Sequence, residues 1–166
     1  DSSHWLVALR LLLLVQQTTE RYRERRFRFI VLALAGPALL GETWQGAAKG
    51  NKDVILLTIG TGVGGAAISD GRLLRGHLGR AGHFGHLSLD PLGEPDICGT
   101  PGSLEDAIGD CTVEKRSNGR FTLTKELVDA HLAGDDEASE TWLCSVRHLA
   151  AGIASLINAL DPEVIL

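Results

Sequence analysis

The residues best suited to chemistry in this chain are a glycine-rich cluster carrying one hydroxyl, Gly60-Thr61-Gly62-Val63-Gly64-Gly65, which comes directly after the apolar β-type run Val54–Ile59. Glycines allow positive φ and let a ligand approach main-chain N–H groups, and Thr61 adds a donor at the same spot, so the chemistry on offer is phosphate binding. Gly60, Gly62 and Gly65 also satisfy the G-x-G-x-x-G dinucleotide fingerprint. That fingerprint needs a helix directly after the turn, with its N-terminus facing the pyrophosphate. The next residues are instead Ala66-Ala67-Ile68-Ser69, then Asp70-Gly71, then Arg72-Leu73-Leu74, a pattern that reads as strand, Asp-Gly hairpin turn and strand. A nucleotide-linked oxidoreductase is therefore disfavoured. A glycine loop between antiparallel strands fits the phosphate loops of actin-like ATPases and sugar kinases better.

The elements that must position this loop fall in three zones. Residues 1 to about 37 are rich in Leu and Arg, residues 41–102 hold 15 of the 20 glycines, and residues 122–160 read as helix. The glycine load of the middle zone predicts alternating strands and turns. In the last zone Thr124 to Ala133 makes a short helix ending at Gly134, and Asp135 caps a long helix running to about Leu160. Leu143, Val146, Leu149, Ala150, Ile153, Ile157 and Leu160 recur at helical spacing there and are the expected core stripe. Asp161-Pro162 ends the helix, and Glu163–Leu166 begins a strand. The composition step near residue 38 is the one candidate boundary, separating a divergent segment 1–37 from a lobe over 38–166.

Downstream of the glycine turn runs Gly76-His77-Leu78-Gly79-Arg80-Ala81-Gly82-His83-Phe84-Gly85-His86, then Gly93, then Asp96-Ile97-Cys98-Gly99-Thr100-Pro101-Gly102-Ser103-Leu104-Glu105. Together with the Gly-Thr-Gly turn, this order and spacing resembles the ROK family of sugar kinases and sugar-responsive repressors. The family's pattern is an A-G-E-x-G-H segment, six residues and a glycine, then C-x-C-G-x-x-G-C-x-E. His86 and Gly93 match its G-H-x6-G, and Glu42 in Leu39-Leu40-Gly41-Glu42 and Asp161-Pro162-Glu163 also resemble it. The likeness runs from about Ala38 to Leu166.

The resemblance implies an α/β fold, the C-terminal lobe of an actin-like (ribonuclease H-like) ATPase with a mixed sheet and helices. It implies that Gly60, Thr61, Gly62, Gly64 and Gly65 hold nucleotide phosphate and that the positions of His83, His86 and Glu105 hold a sugar. Imidazoles and carboxylates suit that task because they pair with hydroxyls and select among epimers. His83 stands where the family has glutamate, so the bidentate acceptor is lost there. The family's zinc ligands, one His and three Cys, fall on His86, Asp96, Cys98 and Ser103, which leaves His86 and Cys98 as weak metal candidates. His77 and Cys111 are stand-in ligands by residue type, but nothing in their spacing favours that over plain surface and core roles. The family's catalytic aspartate, counted back from Gly41-Glu42, falls on Leu34, which cannot act as a base. Asp53, Asp70 and Asp90 read as turn and strand-end residues.

The expectation is thus an ATP- and Mg²⁺-dependent, glucokinase-like hexose kinase, represented by a fragment inactive by itself. The alternative is a sugar-sensing repressor domain. A net charge of −5 argues against nucleic acid as partner, although five arginines between Glu20 and Arg28 keep the repressor branch open. The apolar run Leu6–Val15 is too short and too interrupted by Arg10 to span a bilayer. Three cysteines without paired spacing point to a reducing, cytoplasmic setting. The chain has no methionine, and its last residues begin a strand, so truncation at both ends is expected. Pairing as a homodimer is a further expectation from the family.

Overall fold

The structure, a computed structural model, describes residues 27–77 and 79–166. The run Leu6–Val15 and the arginine-rich stretch as far as Arg26 lie outside them. The chain divides into two compact units, Asp1–Leu34 and Ala35–Leu166. In chain order the elements are helix α1 (Phe27–Gln45), strands β1 (Val54–Ile59), β2 (Val63–Ser69) and β3 (Arg72–Leu73), and a 3₁₀ turn over Phe84–His86. Helix α2 (Leu104–Ile108), α3 (Val113–Arg116), α4 (Thr124–Leu132) and α5 (Asp136–Leu160) come next, and strand β4 (Val164–Ile165) is last.

The second unit is built on one mixed sheet in the order β3-β2-β1-β4. β1 and β2 are antiparallel, with Ile59 opposite Val63, and β4 lies parallel to β1 with Val54 opposite Val164. Residues 66–74 are therefore strand and hairpin, as their pattern predicts. Asp70 and Gly71 both have positive φ, 50° and 72°, the geometry that a two-residue hairpin turn requires and that Asp-Gly tolerates.

Alternation along β1 sends side chains to both faces of the sheet. Val54 and Leu56 pack with Ala66, Ile68 and, from α1, Ala35 and Leu39. Ile55 packs on the other face with Ala67, Phe84 and, from α5, Leu156. Leu39, Ile55 and Leu104 are fully buried, each worth about 2 kcal/mol in apolar transfer.

The α4–α5 corner obeys its sequence signals. Gly134 takes φ 90°, and the Asp135 carboxylate accepts from the Ala138 N–H as N-cap of α5. The phase of the α5 stripe differs from expectation. Ala138, Ser145, Gly152 and Leu156 are its buried residues, while Leu143, Val146 and Ile157 are exposed. Close approach contributes to this: a Cβ on Gly152 would lie 3.1 Å from Leu104 Cδ2, so a small residue faces α2 there, while Leu149, Leu156 and Leu160 pack inward beside it. By length and composition α5 is also apolar enough to cross a membrane.

Candidate functional site

The turn between β1 and β2 is shorter than its glycines suggest, consisting of Gly60, Thr61 and Gly62. Gly64 and Gly65 lie inside β2, opposite Thr58 and Leu57. Gly65 is required by packing, because a Cβ there would sit 2.5 Å from the Phe84 ring and 2.8 Å from the Gly82 carbonyl oxygen. Gly85 is pressed harder still, with a Cβ position 2.0 Å from the Val63 carbonyl oxygen. These contacts seat the 3₁₀ turn carrying His83 and His86 directly on β2.

The orientation of the turn is set by its carbonyls. Gly60 C=O accepts from Asp110 N–H at 3.0 Å and Thr61 C=O from Cys111 N–H at 2.8 Å. In a trans peptide the next N–H points opposite to the C=O, so the amides of Thr61 and Gly62 face away from the Asp110–Cys111 strap. Among the described residues neither amide has a protein acceptor, so the turn offers two adjacent N–H donors that no protein group engages. The strap is fixed by Arg116, whose guanidinium donates to the Gly109 carbonyl at 2.9 Å, to the Thr112 hydroxyl at 3.1 Å and to Ser145 on α5. Burial lowers the Arg116 pKa, partly offset by nearby Cys111 and Asp110.

Glu105 projects from the first turn of α2 to the same place, where its Oε2 accepts from Val63 N–H at 2.9 Å. A Cβ on Gly62 would lie 2.4 Å from that oxygen, so glycine keeps this approach open. Leu104 N–H donates to Leu87 C=O at 2.9 Å, which holds the segments bearing Glu105 and His86 side by side. The His83 and His86 rings are 6.4 Å apart between centroids. Burial, with the charges of His86 and Arg80, lowers the His83 pKa and favours its neutral form.

Between His86 and Glu105 the chain folds back on itself, with bridges Ser88–Ser103 and Pro95–Pro101. The strands of this loop cross so closely that a Cβ on Gly93 would meet Gly102 Cα at 2.6 Å. Asp96 lies at its tip. Its Oδ1 accepts from the N–H groups of Cys98 (2.8 Å) and Thr100 (2.9 Å), and Oδ2 lies 2.6 Å from His86 Nδ1. Burial pushes the Asp96 pKa up, but hydrogen bonds from His86, Thr100, Ser103 and Cys98 outweigh it and hold the carboxyl below its ordinary value.

The zinc that the resemblance implies does not fit this donor set. His86, Asp96 and Cys98 offer ligand atoms within 4.8 Å of one another. However, Asp96 meets the Nδ1 side of the ring, whereas Cys98 Sγ lies 3.4 Å from Nε2, so the two bracket the imidazole instead of sharing one nitrogen with it. Ser103, at the fourth position, is the N-cap of α2 and accepts from Asp106 N–H. Tetrahedral structural zinc wants four N or S ligands, and this cluster supplies two.

Glu42, singled out by its motif, closes the end of α1 by accepting from Ala47 N–H at 2.9 Å. Glu163 accepts from Lys52 N–H at 2.6 Å, and Asp53 accepts from Asp70 N–H at 2.8 Å, so these acids hold strand ends. Leu34 lies in α1 and is 37% exposed. Sequence reasoning missed the seats of Asp96 and Arg116. The run Asp96-x-Cys98-x-Thr100 was the available signal for the first, since Asp readily accepts from amides a few residues on.

The sequence pattern of the ROK family matches residues 28–166, starting upstream of the composition step near 38. A glucokinase of Halalkalibacterium halodurans is 36% identical over 160 residues, covering 86% of this chain and 48% of that protein. The N-acetylglucosamine repressor of Escherichia coli O6:H1 is 34% identical, covering 76% of this chain and 34% of the repressor. Among solved structures, a ROK family glucokinase from Streptomyces griseus in complex with glucose and AMPPNP superposes with a TM-score of 0.67 at 30% identity, over 79% of this chain and 48% of that one. The chain spans about half the length of the glucokinases it matches, or less.

Proposed function

The chain belongs to the ROK family and has its actin-like ATPase fold, and from that premise we propose that it is the sugar- and phosphate-binding lobe of an ATP-dependent hexose kinase of the glucokinase type. The observation that carries this reading is the meeting of Glu105 with the glycine turn: one side chain touches the Val63 amide beside the two outward N–H groups, on the segment paired to the one bearing His86. Phosphate binds at the Thr61 and Gly62 amides, with Gly60 shaping the turn. Gly65 serves the same site from within β2 by letting the 3₁₀ turn approach, and Gly64 lies beside it in the strand. His83, His86 and Glu105 grip the sugar hydroxyls. The S. griseus relative, bound to glucose and AMPPNP, supports both ligand classes. We assign residues 38–166 to this lobe and its setting to the cytoplasm.

Mg²⁺ enters with the nucleotide. The acids nearest the turn are Glu105, which accepts from Val63 N–H, Asp110, which accepts from Thr124 N–H, and Asp106, which with Glu105 and Cys111 offers ligand atoms within 4.8 Å of one another. An ion carried by phosphates and water suits that arrangement. When bound, it neutralises phosphate charge next to Glu105.

With Leu34 where the base is expected, this chain turns over slowly. Absence of a positioned base lowers the rate by ~10²- to 10⁴-fold. Calorimetry with glucose and with AMPPNP, then a coupled ADP-release assay, is the test. Binding of both ligands with ADP release near background supports the proposal. Glucose-dependent turnover at an ordinary kinase rate, about 1–100 s⁻¹, refutes the inactivity, and absence of binding refutes the site.

A second reading arises from the same Leu34 and from the repressor relative: a pocket without a base senses sugar without turning it over. AMPPNP binding separates the two, because sensing needs no nucleotide.

A further inference from the structure

We propose that Asp96 is the positioning residue of this site, its carboxylate fixing the ring orientation and tautomer of His86 without a metal ion. The Asp96 side chain is 0% exposed and that of His86 11%. A buried carboxylate persists only when its lone pairs are taken up, and three donors do this: His86 Nδ1 and two amides of its own loop. The same carboxylate therefore closes the loop from residue 96 to 100 and holds the imidazole. Such a bond places the neutral ring's proton on Nδ1 and leaves the Nε2 lone pair to accept. In this structure Cys98 Sγ is the group facing Nε2. A hexose hydroxyl is the natural replacement, and that last step rests on the sugar-binding reading above.

The two departures from the zinc pattern become one substitution in this view. Asp96 replaces a thiolate that would bind metal with a carboxylate that binds N–H groups, and Ser103 replaces another with a hydroxyl that caps α2.

Three measurements on the 166-residue chain test this. The first is zinc content and melting temperature, after growth in zinc and dialysis against chelator. Substoichiometric metal and an unchanged Tm are expected; one zinc per chain, or a Tm lowered by chelator, overturns the proposal. The second is ¹⁵N NMR of the His86 ring, where the Nδ1–H tautomer is expected in the native chain and the Nε2–H tautomer in Asp96→Ala. Nε2–H in the native chain, or no change on substitution, overturns it. Should Asp96→Ala fail to fold, Asp96→Asn keeps an acceptor for Nδ1–H and is expected to retain the native tautomer, and its loss counts against the proposal. The third compares the native chain with the double variant Asp96→Cys/Ser103→Cys, which restores the one-His, three-Cys set. One zinc in the variant alone supports the assignment, and equal uptake by the two chains, whether one or none, overturns it. Glucose affinity is recorded alongside, with a loss of roughly tenfold expected in Asp96→Ala, the lower end for removing a histidine's orienting partner. If no hexose binds the native chain, the sugar reading fails, while the tautomer and metal results still decide the role of Asp96.

Discussion

The glycine turn and the loop tipped by Asp96 are two halves of one candidate site, held by opposite means. At the turn, shape comes from backbone: carbonyls of Gly60 and Thr61 drawn to the Asp110–Cys111 strap, and glycines where Phe84, Val63 and Glu105 press close. At the loop, shape comes from one buried side chain that gathers three donors. Close backbone approach tolerates no added atom, so the first half keeps its residue types. A hydrogen-bonded hub needs only matching donors and acceptors, so the second can exchange thiolates for a carboxylate and hydroxyl and still close.

The largest effect that separates the halves is expected from Gly85→Ala, which drives a methyl group into the Val63 carbonyl. Destabilisation of about 3 kcal/mol, the upper part of the overpacking range, is expected in urea unfolding. A cost within a few tenths of a kcal/mol would show the backbone half to be as adaptable as the other. Arg116→Ala comes next, since it strips the strap of its Gly109 and Thr112 bonds and leaves Ser145 without this donor. About 2 kcal/mol and weakened AMPPNP binding are expected, with calorimetry as the check. Ser103→Ala removes the α2 cap, for about 1 kcal/mol. A larger loss for Ser103→Ala than for Gly85→Ala would invert the comparison.

The smallest effect lies in pH and acts as a control outside both halves. Asp135, hydrogen-bonded by Arg120 and the Ala138 amide, has its pKa lowered from 3.8 to about 2. A depressed carboxylate contributes stability that is complete above its unfolded pKa and fades as pH falls through the folded one. The Asp135 contribution is therefore expected to disappear between pH 3.8 and about 2, and Arg120→Ala should flatten the acid limb of a Tm–pH curve there.

Much of the fold was legible because its signals are local. Asp70-Gly71 names its own turn, and Gly134-Asp135 ends one helix and begins the next. The errors arise where tertiary contact overrides local signal. Gly64 and Gly65 read as loop, yet they are strand, and at Gly65 a packed aromatic ring demands the missing side chain. In α5 the helical period was right and the phase wrong, since hydrophobicity ranks Leu143 above Ser145 while packing against Leu104 and Arg116 rewards small residues. Helix α1 runs through Gly36-Pro37, a pair that sequence rules treat as a break. At the site, the identities of the turn and histidine residues were readable from motifs. The work of Asp96 was not, because a carboxylate in place of a cysteine looks like a lost ligand until its donors are seen.

The Phe84 ring lodged against Gly65 carries a mechanical consequence. His83 and His86 flank a residue wedged into the same strand that leads out of the glycine turn, and close-packed interiors transmit displacement instead of absorbing it. If the proposed ligands bind there, a sugar that displaced the imidazoles would pass that displacement along β2 to the amides of the glycine turn, so the two ligands would meet a single lever with its fulcrum at a missing methyl group.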